Sequence, residues 1–210
     1  VEVQDDIIDN GGKFSRLKPH LDFIMSNPKV MGTDWPNAIQ AIKRDSIYTQ
    51  PFRASYQGNI SQDNILDAIL YYESNLIVPA KFDAYLQGQD DAISAAAKLG
   101  YKVFKNYGCI SCHQGTNVGG NLFQQLGIIK PYQGQDGKYQ TKKFRVPSLR
   151  NVALTAPYLH DGSIESLESI ITIMAEYQLG QTLTHLEVRL IKAFLESLNS
   201  VTEQVANEKN

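Results

Sequence analysis

The stretch Gly108-Cys109-Ile110-Ser111-Cys112-His113 decides how this chain is read. It holds both cysteines of the sequence, and a histidine follows the second one directly. C-x-x-C-H is the pattern of c-type haem attachment. Two thiols at this spacing can each add to one of the two haem vinyl groups, and the adjacent imidazole then lies under the iron. A thioredoxin-like pair shares the C-x-x-C but follows a strand and has no need of the histidine. A structural zinc site needs four ligands, and there is no second cysteine pair. The motif therefore predicts one covalent haem c, bound through Cys109 and Cys112 with His113 as proximal ligand.

Composition bounds what surrounds the motif. The chain has 210 residues, 42% hydrophobic and 20% charged, which is globular composition. A chain of this length buries about 70% of its unfolded surface and needs no disulfide framework to fold. Twenty basic residues against twenty-two acidic ones give a net charge of −2 and no footprint for nucleic acid or an anionic membrane. The longest apolar runs, at 65–72 and 170–174, fall far short of the roughly 18 residues that span a bilayer. The sequence starts at Val1 with no signal peptide. Haem c is attached outside the bacterial cytoplasmic membrane, so the expectation is an exported, periplasmic protein whose leader has been removed.

Outward from the motif the pattern is helical. Ala95, Leu99, Val103 and Phe104 mark one face of a helix over 90–107 that runs straight into Gly108. On the far side, 115–146 is rich in Gly and polar residues and predicts a long loop over the haem edge. A short helix is expected at 166–176. A terminal helix is expected at 184–198, with Leu186, Leu190, Ile191, Phe194, Leu195 and Leu198 as its apolar stripe. Upstream, Leu17, Leu21, Ile24 and Met25 fall at helical spacing, stopped by Pro28. Pro36 can sit in the first turn of a helix over 37–45. Residues 48–58 look turn-rich, and Ile65, Ile69, Tyr72 and Leu76 mark another helix. Residues 82–88 look like a connector, 1–16 like loop, and the polar tail 201–210 like disorder. The fold class is all-α: a cytochrome c-like domain at 89–200 with long loops, preceded by a smaller helical segment at 1–88.

A haem iron held by His113 has a sixth position. Met25, Met31, Met174, His20, His160 and His185 are the candidates. Met174 is the only Met after His113, and a small cytochrome brings its second ligand from downstream. Beside Ile170, Ile171 and Ile173 it could equally be a core residue. His160 precedes the Asp161-Gly162 turn and competes for the position. His20 and His185 read as surface residues.

The run Phe144-Arg145-Val146-Pro147-Ser148-Leu149-Arg150-Asn151-Val152, continuing to Pro157-Tyr158-Leu159-His160-Asp161-Gly162-Ser163, resembles the signature of bacterial di-haem cytochrome c peroxidases. The stretch Phe82-Asp83-Ala84-Tyr85-Leu86-Gln87-Gly88, followed by Gly100 and Phe104, is similar too. These enzymes pair an N-terminal peroxidatic haem with a C-terminal, high-potential His/Met haem that takes in electrons. The motif here looks like the second. The resemblance implies Met174 as distal ligand, since Gln178-Leu179-Gly180 follows it as in the family. It also implies calcium near the Thr155 and Pro157 carbonyls, completed by a third protein ligand. Arg150 could pair with a haem propionate, because a fixed guanidinium suits a carboxylate.

The sequence departs from the family upstream. Asn27-Pro28-Lys29-Val30-Met31-Gly32 looks like the segment that supplies the acid of the peroxidatic site, with Val30 where that Glu stands. Asn10 occupies the position of the Trp between the haems, and Trp35 reads as a packing residue. A Val cannot serve as general acid or base in O–O cleavage. The leading expectation is an electron-transfer protein with one high-potential haem. Its partners would be a small redox protein such as a mono-haem cytochrome c or cupredoxin, a separate haem-bearing chain or a second copy. The alternatives are the C-terminal part of an active di-haem peroxidase, or a haem subunit of a larger redox complex.

Overall fold

The computed structural model describes residues 17–134 and 142–200, apart from 75, 77 and 78. The expectations for 1–16, including Asn10, and for 201–210 lie outside these residues. The chain divides into two compact units between residues 77 and 78. No helix among the described residues is long and apolar enough to cross a membrane.

The first unit is a set of helices: α1 (Leu17–Met25), α2 (Pro28–Met31), α3 (Trp35–Arg44), α4 (Ser46–Tyr56) and α5 (Gln62–Ser74). Short side chains set the boundaries. Asn27 accepts from Lys29 N, Asp34 from Asn37 N and Asp45 from Ile47 N, each capping a helix start. Leu21, Trp35, Phe52, Ile60, Ile65, Leu66 and Leu70 form the core. Trp35 is a packing residue as expected, and its indole N–H donates to Asp22 Oδ1 and Ser26 Oγ, both at 2.9 Å. Helix α4 corrects the turn-rich reading of 48–58. Its interior Pro51 argues against a helix, but Phe52 is buried and stacks on Tyr56 with ring centroids 5.2 Å apart. Packing of that face outweighs the proline.

The second unit contains α6 (Lys81–Leu86), α7 (Ala95–Asn106), α8 (Leu167–Ile173) and α9 (His185–Glu196). Residues 82–88 are not a bare connector. Phe82 N donates to Ser197 O at 3.1 Å, and the Phe82 ring meets Phe194 and Tyr101 edge-on at 5.1 and 4.9 Å. Segment 80–88 therefore packs with the second unit, and the division falls before it rather than after residue 88. Helices α7 and α9 cross at Gly100. A Cβ there would lie 1.8 Å from Leu190 O, so only glycine permits this approach. Phe104, Ala97, Ile191, Phe194 and Leu195 fill the contact.

The expected long loop over 115–146 contains a two-stranded antiparallel ribbon, β1 (Phe123–Gln125) and β2 (Lys143–Arg145), with Gln124 opposite Phe144. Three-residue strands are too short to show a period in sequence. Helix α8 is capped by Ser166, whose Oγ accepts from Ser169 N at 3.1 Å, and passes into a π-helical turn at Met174–Gln178. Thr184 and Glu187 form a capping box at the start of α9.

Candidate haem site

Helix α7 delivers the motif. Gly108, at φ 88°, turns the chain out of the helix into the tight turn Cys109–Ser111. Cys112 N and His113 N both donate to Cys109 O, at 3.3 and 3.0 Å. Both thiols and the imidazole thus leave one turn, and all three line a single cavity of about 490 Å³. The remaining walls are mostly apolar: Phe104 from α7, Leu149 and Tyr158 from the connecting segment, Leu167, Ile170 and Ile171 from α8, Ile191 and Leu195 from α9.

Burial shifts two of the donors, Cys109 and His113, toward their neutral forms. The cysteines are not joined to each other. Burial pushes the Cys109 thiol up to about 11, so it stays protonated at neutral pH. Burial holds His113 below the usual imidazole value, only partly opposed by the nearby Val118 and Pro147 backbone. Its Nδ1 is buried with no hydrogen bond of full geometry. A neutral imidazole, two free thiols and a thioether around an apolar cavity are a donor set that fits covalent haem.

Met174 lines the same cavity, at the junction of α8 and the π-helical turn. Such turns recur at functional sites because they re-aim a side chain without breaking the helix. His160 also lines the cavity, with its ring 4.5 Å from Phe144. The other sixth-ligand candidates are elsewhere. His20 is exposed and Met25 packs on the core of the first unit. Met31 is 40% exposed, and His185 is exposed at the start of α9.

Arg150 is committed to protein partners. Its guanidinium donates to both oxygens of Asp83 at 2.8 and 2.7 Å, and its Nε to Thr116 O at 2.7 Å. It is not among the residues lining the cavity. This fork ties α6 to the loop after the motif. Arg145, which sequence reasoning passed over, lines the cavity instead. It donates to Gly120 O at 2.7 Å and lies over the Phe123 ring at 4.8 Å. Both arginines flank the same Val-Pro-Ser-Leu run.

Thr155 and Pro157 line the cavity too, across a cis Ala156–Pro157 bond. Two carbonyls are far short of the six to eight oxygens that calcium takes. Among the described residues, no group of three His, Cys, Asp or Glu side chains is placed to hold a metal ion. Val30 is 61% exposed in the first unit.

Fold and motif together define a cytochrome c-like helical protein. The family model described as di-haem cytochrome c peroxidase matches residues 7–91. The chain is 36% identical over 198 residues to cytochrome c peroxidase Ccp of Escherichia coli (strain K12), covering 87% of this chain and 43% of that protein. It is 38% identical over 175 residues to cytochrome c551 peroxidase of Pseudomonas aeruginosa, covering 75% of this chain and 51% of the relative. The crystal structure of a MauG-like protein associated with microbial copper homeostasis has the same fold. The TM-score is 0.62 at 23% identity, over 80% of this chain and 62% of that one. The chain is similar to the di-haem cytochrome c peroxidase family, whose members carry c-type haem and work in redox chemistry. It spans about half the length of these two relatives.

Proposed function

We propose that this chain transfers electrons through one haem c, which Cys109 and Cys112 would attach and His113 and Met174 would hold by its iron. When bound, the haem supplies one-electron exchange between ferric and ferrous iron. The observation that carries the reading is that Met174 lines the same cavity as the C-x-x-C-H motif. A thioether is a soft, neutral donor that favours the ferrous state and raises the potential. It also fills the position a peroxide would need. Ile170, Ile171 and Leu179 exclude water around it, which favours the less charged ferrous state further. Arg145 is the cation placed to meet a propionate at the cavity.

The test is Met174→Ala. The variant should lose the weak near-infrared absorption of Met-bound ferric haem, turn high-spin or bind water, and fall in potential. A wild-type spectrum and potential in that variant would make Met174 a core residue and move the question to His160.

A second reading is favoured by the match of residues 7–91 to the di-haem family and by the share of the relatives that this chain spans. In that reading the chain is the electron-accepting part of a peroxidase. Val30 in place of the expected acid weighs against it. A second C-x-x-C-H motif upstream in the full gene, with peroxide turnover by the full-length product at roughly 1–10³ per second, would establish it. The partner in the first reading is a small redox protein such as a mono-haem cytochrome c or cupredoxin, met in the periplasm. Calcium at Thr155 and Pro157 would need at least four further oxygens.

A further inference from the structure

We infer that the Gln178 carboxamide is a positioning residue for the iron ligand: it clamps residues 125–128 onto the π-helical turn and so holds Met174 in place. The inference rests on the proposed Met174 ligation. Gln178 Oε1 accepts from Gly127 N at 2.5 Å and from Ile128 N at 3.0 Å, while Nε2 donates to Gln125 O at 3.1 Å. Both acceptor sites and one of the two donor hydrogens of the amide are therefore used. One side chain crosses to three positions, Gln125, Gly127 and Ile128, separated from it by about fifty residues of sequence. Gln178 closes the turn that Met174 opens, and both side chains line the cavity.

The clamp matters because of what a π turn is. It carries one residue more than an α turn, and rewinding to α rotates the following chain by about 100°. Nothing in the helix backbone itself prevents that. Here the register is held from outside. Besides the Gln178 contacts, Ile129 N and Lys130 N both donate to Tyr177 O at 3.1 and 3.2 Å. The Tyr132 ring meets Tyr177 edge-on at 5.0 Å. Leu126 is buried beneath the clamped loop. A thioether brings no charge to hold it on the metal, so the geometry of its backbone decides how long it stays. Gln178 ties that backbone to the loop by three hydrogen bonds, beside the Lys130–Glu176 pair and the Tyr132–Tyr177 contact.

The experiment uses the full haem-loaded chain and exogenous imidazole, which competes with Met174 for the iron. Wild type, Gln178→Leu and Gln178→Glu are titrated while the near-infrared absorption of Met-bound ferric haem is followed. Gln178→Leu removes all three hydrogen bonds and should bind imidazole about tenfold more tightly. Gln178→Glu keeps both acceptor contacts and should stay within about threefold of wild type. If the Leu variant does not fold by circular dichroism, Gln178→Asn, too short to reach the loop, replaces it in the comparison. A Leu or Asn variant with wild-type imidazole affinity overturns the positioning role. So does a Glu variant as loose as the Leu variant, since packing alone would then explain both. A wild-type protein with no Met-bound absorption removes the ligation itself, and is told apart from these results before any variant is compared.

Discussion

Gly100 offers the sharpest test of the fold that carries the site, because two effects pull in opposite directions there. On an isolated helix, Gly→Ala stabilises by about 0.5–1 kcal/mol, since glycine has more backbone freedom to lose. In this protein the added Cβ would lie 1.8 Å from Leu190 O, 2.5 Å from Leu190 C and 3.0 Å from Phe194 Cβ. An ordinary C···O contact is about 3.3 Å, so α7 and α9 must separate by roughly 1.5 Å. The clash is with backbone, which cannot swing aside. Gaps of that size forfeit much of the dispersion energy between Phe104, Ala97, Ile191 and Phe194. Overpacking costs about 1–3 kcal/mol, and backbone opposition puts this case at the upper end. The net effect of Gly100→Ala is a loss of about 2 kcal/mol, or roughly 8 °C in Tm for a unit of this size. Thermal unfolding of the haem-loaded chain by circular dichroism measures it. Leu99→Ala, at a position 50% exposed on the same helix, is the control and should stay within about 0.5 kcal/mol of wild type. An unchanged or higher Tm for Gly100→Ala would mean that the close crossing is not there.

The two arginines separate cleanly in the remaining predictions. Arg145→Gln removes the cation at the cavity and should lower the haem potential, whereas Arg150→Gln should leave the potential in place and cost about 1.5–3 kcal/mol of stability; equilibrium redox titration and urea unfolding of both variants decide. The Arg150 guanidinium, helped by Ala80 N–H, holds the Asp83 carboxyl below its usual value against the opposing effect of burial. A depressed carboxyl contributes stability that is present above its unfolded value near 4 and is lost as pH falls through the folded value. Urea unfolding between about pH 5 and pH 2 should therefore show wild type losing stability that Asp83→Asn already lacks, and parallel curves would exclude the pair as the source. Acidified organic solvent should leave the haem on the wild-type chain, and a haem that extracts freely would remove Cys109 and Cys112 from the site.

Much of the site was readable from residue types at fixed spacing. C-x-x-C-H is contiguous, and its chemistry needs nothing from the rest of the chain. The helices at 95–106 and 185–196 announced themselves by apolar residues every three or four positions. What the sequence left open between Met174 as ligand and Met174 as core residue depends on contacts that spacing does not encode. The π turn adds one residue over five and leaves no mark on a hydrophobic pattern of period 3.6. Helix α4 was hidden by Pro51, whose local penalty is overridden by burial of Phe52.

The pairing of Arg150 with Asp83 was hidden for a related reason. Its partner Asp83 lies 67 residues away, and a carboxylate from the protein competes with a propionate on equal chemical terms. By itself the sequence determined the donor chemistry, two thiols and an imidazole bound to one turn, because those atoms are joined by a few covalent bonds. Only the tertiary structure decided which arginine, which methionine and which glutamine line the cavity beside that turn. Those pairings span long loops, and burial of an apolar surface common to the whole unit selects among them.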